Sequence, residues 1–154
     1  MRIHTKDTTM YIHEMLQVNE EIYQSFQRLI PQLSDQSSPP KREDLMMMAA
    51  SKETFVCLAR HPDSEGRIIG SATLAIFQTP TGVHGWIEDV VVDKDDRRQG
   101  VGKALTQACL DKARELGLRE VNLTSRPNRI AANRLYQAMG FVRRETNVYR
   151  YALD

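Results

Sequence analysis

Cysteine is scarce: the chain has only Cys57 and Cys109, outside any CxxC pair. That gives no support to a disulfide-stapled scaffold or a zinc ribbon, and in a reducing compartment both read as small buried hydrophobes. The histidines, at 4, 13, 61 and 84, share no ligand spacing, so no metal is expected. Long apolar runs are missing too. Nothing approaches the roughly 20 residues that cross a bilayer, and the opening MRIHTKDTTM carries no signal-peptide core. A cytoplasmic location without a membrane partner is expected. Neither sign of charge is in excess: 21 Lys and Arg face 20 Asp and Glu, for a net charge of +1. Bulk charge therefore gives no footing for a nucleic-acid partner. Binding a single phosphate group needs oriented amides more than net charge, so it stays open. No repeat and no linker divides the 154 residues, and a single domain over 1–154 is expected.

What is present is a change of period along the chain. MRIHT reads as a short strand. From Thr9 to Leu33, Met10, Ile12, Met15, Leu16 and then Ile22, Tyr23, Phe26, Leu29, Ile30 recur at helical spacings. Asn19 before Glu20 and Glu21 marks a fresh start, which predicts two helices. After the polar SDQSSPP, KREDLMMMAAS predicts a short helix, with its methionines mostly packing. TFVCLAR, IIGSATLAIF and WIEDVVVD then read as three strands joined by short turns, hence antiparallel neighbours. Val101, Leu105, Cys109, Ala113 and Leu116 form one helical stripe, ended by Gly117. REVNLTS predicts a strand, RIAANRLYQAM a helix, and GFVRRETNVYRYALD two final strands. The strand-helix-strand unit implies a parallel crossover. The fold class is α/β, with a mixed, mostly antiparallel sheet flanked by helices. An exposed edge near TNVYRYAL makes a homodimer an expectation.

The glycines in DKDDRRQGVGKAL follow a strand and open a helix, an arrangement that presents backbone amides to an anion. A nucleoside-triphosphate loop needs a glycine where Arg97 stands and a hydroxyl where Ala104 stands, and fails twice. A dinucleotide fingerprint finds Gly100 and Gly102 but meets Leu105 at its third position. The third pattern, Arg97-Arg98-Gln99-Gly100-Val101-Gly102, lets the backbone approach an anion and adds two guanidinium groups. By itself it is equally a glycine-rich turn before an ordinary helix. The preceding DKDD reads as a solvated loop.

Thirty residues on, RPNRIAANRLYQAMGF supplies a second element, ending in LY…GF. The two together resemble the GNAT superfamily of acetyl-CoA-dependent N-acetyltransferases, specifically from about Gly70 to Phe141. The resemblance implies that the strand before the loop splays from its parallel neighbour, a central V-shaped opening that takes acetyl-CoA as acetyl donor. Backbone groups of Val90, Val91 and Val92 would face its pantetheine, with the Val91 amide at the oxyanion. Arg97, Arg98, Gln99, Gly100, Val101, Gly102 and Lys103 would hold the pyrophosphate, and Thr124 would lie opposite the pantetheine. Tyr136 is implied as the general acid toward the leaving thiolate. Arg129 departs from the family's usual asparagine, so the remaining cofactor contact falls to one of Asn128, which is placed to cap the last helix, Arg129 or Asn133.

The acceptor ammonium must lose a proton, and Glu88 is the candidate base, with a salt bridge or loop hydrogen bond as its alternative. For Asp89 the structural role is favoured. Simple alternation puts Trp86, Glu88 and Val90 on one face and Ile87, Asp89 and Val91 on the other. Trp86 and Tyr149 are aromatic candidates for the acceptor pocket, with sheet packing as the alternative. A small-molecule amine is the expected acceptor. A protein N-terminus, a lysine, or a non-catalytic acyl-CoA sensor remain alternatives.

Overall fold

Among the described residues, six strands form one sheet in chain order: β1 (Arg2–Thr5), β2 (Thr8–Glu14), β3 (Thr54–His61), β4 (Arg67–Thr79), β5 (Gly82–Val92) and β6 (Val121–Asn122). The computed structural model describes residues 1–5 and 8–153, without the side chains of 3–5 and 8. The His4 side chain and Asp154, the end of the expected last strand, therefore lie outside the described residues. Neighbouring strands are antiparallel except β5 and β6, which run parallel. The helices are α1 (Glu20–Leu29), α2 (Arg42–Ala50), α3 (Val101–Glu115) and α4 (Ile130–Ala138).

The stretch from Thr9 to Leu33 is a strand followed by a helix, where two helices were expected. Met10 and Ile12 are buried while Tyr11 and His13 between and beyond them are half-buried, a period of two that the 15–16 pair had masked. The break at Asn19 holds: its side chain accepts the Ile22 amide at 2.8 Å and caps α1. Ile22, Phe26 and Leu29 of α1 and Leu45 of α2 then pack with Val56, Leu58, Ile68 and Val91 on one face of the sheet. Burying each of these large side chains contributes about 1.5–3 kcal/mol. Of the three methionines of α2, Met46 and Met47 are exposed and only Met48 packs against this cluster.

Helix α3 covers the other face. Gly70 of β4 permits the close approach, since a Cβ there would stand 2.8 Å from the Val91 carbonyl and 3.0 Å from Leu105. Cys57 and Cys109, far apart in the chain, meet in this layer with their sulfurs 3.8 Å apart. Both are free and fully buried. The hydrogen bond with Cys57, and then burial, push the Cys109 thiol pKa upward. A colorimetric thiol reagent is therefore expected to titrate neither cysteine in the native protein and both in denaturant. One equivalent released under native conditions would show that the β3–α3 contact opens.

Helix α3 ends as expected. Gly117, at φ 71°, donates to Arg114, and Leu118 donates to Ala113 at 2.9 Å, the Schellman closure. The strand that follows is only two residues long, shorter than REVNLTS predicted. By its contacts the chain divides into two units, residues 1–124 and 125–154. The second unit contains α4, and its described residues 141–153 form no strand, so the expected final pair is absent there. Val148, Tyr149 and Tyr151 are 75–87% exposed, and without a ladder to join, their β-forming character has nothing to act on. The edge strand on which a homodimer was expected is thus not formed among the described residues.

Candidate active site

The centre of the site is a break in the β4–β5 ladder. Thr73 pairs with Glu88 and Ser71 with Val91, so two residues of β5, Asp89 and Val90, stand against Ala72 alone. Asp89 absorbs this bulge at φ 50°, a left-handed conformation that Asp tolerates better than most residues. The extra residue overturns the simple alternation of β5. Glu88 and Val91 now share the face of Thr73 and Ser71, the side covered by α1 and α2, while Ile87 faces α3 with Leu74.

Beside the bulge, on the α1–α2 side, lies a recess of about 140 Å³. Phe26, Ile30, Leu45 and Met48 form its apolar side, Ser71 and Thr73 its more buried polar side, and the exposed Asp89 stands at its rim. Glu88 keeps an exposed side chain, yet its partial desolvation, and secondarily the Asp89 charge, raise its pKa above the ordinary carboxylate value. Trp86, on the same face as Glu88, is half-buried, and Tyr149 is exposed at 87% in the second unit.

On its other side β5 pairs with β6 only at Gly85–Val121 and Trp86–Asn122. From Ile87 to Val92 no described strand pairs with that edge, so the parallel neighbours part company there. The loop that follows turns through two left-handed residues, Arg98 at φ 66° and Gly100 at φ 80°. Helix α3 starts directly after, with no side-chain hydrogen bond at its cap. Left-handed residues running into a helix turn successive amides toward one point, and the helix dipole adds positive potential there. Arg97, Arg98 and Lys103 are exposed around it, and Arg97 also donates to the Val92 carbonyl at 3.2 Å.

DKDD is solvated only in part: Lys94 and Asp95 are exposed. Asp93 and Asp96 are buried, and Arg67 at the start of β4 donates to both, at 2.9 and 2.6 Å. Arg28 of α1 lies 3.3 Å from Asp93 and donates to the Ile68 carbonyl. Burial opposes ionisation of Asp93, but the Arg67 and Asp95 hydrogen bonds and the Arg28 and Arg67 charges hold its pKa below the usual range. This cluster anchors the loop between β5 and α3. Sequence reading missed it because charge runs are usually solvated. Its one local sign is Asp93 itself, whose side chain accepts the Asp95 amide as a turn residue does.

In the second unit the LY…GF spacing has its own structural cause. Gly140, at φ 94°, donates to Gln137, and Phe141 donates to the Tyr136 carbonyl at 3.0 Å. The Tyr136 and Phe141 rings meet edge-on at 5.8 Å, the apolar contact that accompanies such a helix end. Tyr136 is buried, and that burial, partly opposed by Arg129, raises its pKa. Arg129, not Asn128, occupies the cap position of α4, because the helix begins one residue later than expected. The amide nitrogen of Asn133 donates to the carbonyls of Arg126 and Arg129 at 2.9 and 3.0 Å. Glu88, Val90–Val92 and the Arg97–Lys103 loop are thus gathered in the first unit, where Thr124 is the last residue and exposed. Asn128, Asn133 and Tyr136 belong to the second. Among the described residues no group of three metal-ligating side chains occurs, and no helix is long and apolar enough to cross a membrane.

A mixed sheet whose parallel pair splays at a bulged strand, followed by an amide-presenting loop and helix, defines a mixed α/β fold. Residues 16–141 match the acetyltransferase (GNAT) family, and the chain belongs to it. Glucosamine 6-phosphate N-acetyltransferase of Trypanosoma brucei is 39% identical over 79 residues, 49% of this chain and 52% of that protein. N-alpha-acetyltransferase 30 of Schizosaccharomyces pombe is 35% identical over 74 residues, 48% and 49%. The chain spans about half the length of these curated relatives in its match. A solved Trypanosoma brucei acetyltransferase superimposes with a TM-score of 0.72 at 29% identity, covering 94% of this chain and 99% of its own.

Proposed function

We propose that this chain, acting as one domain over residues 1–154, transfers the acetyl group of acetyl-CoA directly to the primary amine of a small molecule. The observation that carries the reading is the meeting, in one unit, of an uncapped helix start behind two left-handed residues and a β5 edge left unpaired beyond Trp86. The amides of Arg98–Lys103 fit a pyrophosphate, and backbone groups of Val90–Val92 fit an extended pantetheine chain laid along the edge. Acetyl-CoA supplies the activated acyl group.

In this proposal the acceptor ammonium first gives one proton to Glu88, directly or through water. The free amine attacks the acetyl carbonyl, and the Val91 amide stabilises the oxyanion of the tetrahedral intermediate. The new C–N bond stays, the C–S bond breaks, and the sulfur leaves with the Tyr136 proton. Nitrogen's surplus proton and the proton held by Glu88 pass to solvent, and solvent reprotonates the phenolate. A thiol-release assay with acetyl-CoA and a panel of amines, peptide N-termini and lysine tests it. Tight CoA binding with no thiol from any acceptor would favour the sensor reading instead.

Because the Glu88 pKa is raised, the acid limb of kcat/KM should lie above the ordinary carboxylate range, with activity falling as pH drops through it. A raised carboxyl favours the fold while protonated and loses that contribution as pH rises through its folded value. Glu88→Gln should therefore slow turnover by about 10²-fold or more and flatten the limb without lowering the melting temperature. Unchanged turnover in Glu88→Gln would remove Glu88 as the base.

A further inference from the structure

We infer that the acceptor is a primary monoamine that buries an apolar part of about one six-membered ring in the recess beside the β5 bulge. The inference rests on the acetyltransferase reading above and narrows its acceptor. Three features of the recess carry it.

The first is volume. At about 140 Å³ the recess is well below the 300–1,000 Å³ usual for sites that take drug-sized ligands. It is close to the roughly 150 Å³ at which an apolar protein cavity accepts benzene. An oligosaccharide or a folded peptide segment is too large to be buried there, whereas one ring or a short alkyl chain fits. The second is the division of its lining into an apolar and a polar side. Phe26, Ile30, Leu45 and Met48 offer only carbon and one thioether to the body of the acceptor. Ser71, Thr73 and Asp89 offer acceptors to an ammonium, and Glu88, paired with Thr73, shares the face of Ser71 and Thr73.

The third is the sign of the charge. None of the lining residues is Lys or Arg, so the recess has no countercharge for a phosphate or carboxylate on the acceptor. The arginines of the two helices beside it are committed elsewhere: Arg28 of α1 to Asp93 and the Ile68 carbonyl, Arg42 of α2 to Glu20 and the Tyr23 ring. A phosphorylated amino sugar would bring a dianion toward Asp89 and Glu88. A monoamine brings only the charge that Asp89 and Glu88 match.

The test compares kcat/KM for phenethylamine, spermidine, glucosamine 6-phosphate and a peptide N-terminus at saturating acetyl-CoA. Phenethylamine should exceed each of the others by about tenfold or more, the ratio expected from burying one ring. Met48→Trp, which fills the recess from its wall, should raise the phenethylamine KM by about tenfold while leaving the KM for acetyl-CoA in place. If glucosamine 6-phosphate, spermidine or the peptide is the best acceptor, the inference is overturned and the acetyltransferase reading stands. Equal KM for phenethylamine in parent and Met48→Trp would also overturn it. If CoA binds and no acceptor releases thiol, both fall together.

Discussion

A Tyr136→Phe variant is expected to keep its fold and its KM for acetyl-CoA while kcat drops about 10²-fold, the usual worth of a positioned general acid. The substitution isolates the hydroxyl. Tyr136 sits three residues before the cap residue of α4, and its backbone carbonyl and ring close the helix on Phe141. Phenylalanine preserves both contacts, so the melting temperature should hardly move. Burial keeps the phenol protonated above its ordinary pKa of about 10, so the parent carries a usable proton throughout the neutral range. Any alkaline decline of kcat in the parent should vanish in the variant. Full turnover by Tyr136→Phe would sink the general-acid assignment and leave the acetyltransferase reading untouched.

Asp93→Ala is expected to lower the melting temperature by about 5–10 °C, from a loss of roughly 2–3 kcal/mol. Removing one partner of a buried ion pair can cost more, about 3–5 kcal/mol. Here Arg67 and Arg28 have side chains 51% and 36% exposed, so water partly compensates the stranded guanidinium groups. The functional effect should be separable from the structural one. Asp93 touches no reacting atom in the proposal, and acts by fixing the turn into α3 together with Asp96 and Arg67. Hence the KM for acetyl-CoA should rise about tenfold or more, with kcat at saturation largely retained. The depressed Asp93 pKa makes its stabilisation present above the unfolded carboxyl value and lost as pH falls through the folded one. Melting temperatures of parent and variant should therefore converge in acid. A variant melting as the parent does, with the parent's KM, would remove the anchoring role.

The glycine loop and several helix ends were legible because their physics is local. Gly100 and Gly102 sit where a chain must turn sharply into a helix, Asn19 caps α1, and Gly117 closes α3 with a left-handed residue. Each of these is a statement about a few neighbouring residues, so the order of letters carries it. The three-strand meander was equally readable, since short turns leave consecutive strands little choice of neighbour. β2 was not, because Met10, Ile12 and Met15 satisfy a helical and an alternating pattern alike until β3 supplies a ladder for Tyr11–Glu14.

The sequence by itself determined the element order of the meander and α3, the turn chemistry of the glycine loop, and the family to which these point. Tertiary structure alone decided which face Glu88 occupies, because the bulge at Asp89 depends on how β5 registers against β4. It also decided that Asp93 and Asp96 are buried and paired, since their partners Arg67 and Arg28 are 26 and 65 residues away from Asp93 in the chain. The recess itself has the same origin: its walls come from α1, α2, β4 and β5, and no local stretch contains it. Local chemistry reads out from neighbours in sequence, whereas a pocket and a buried ion pair exist only once distant segments have packed.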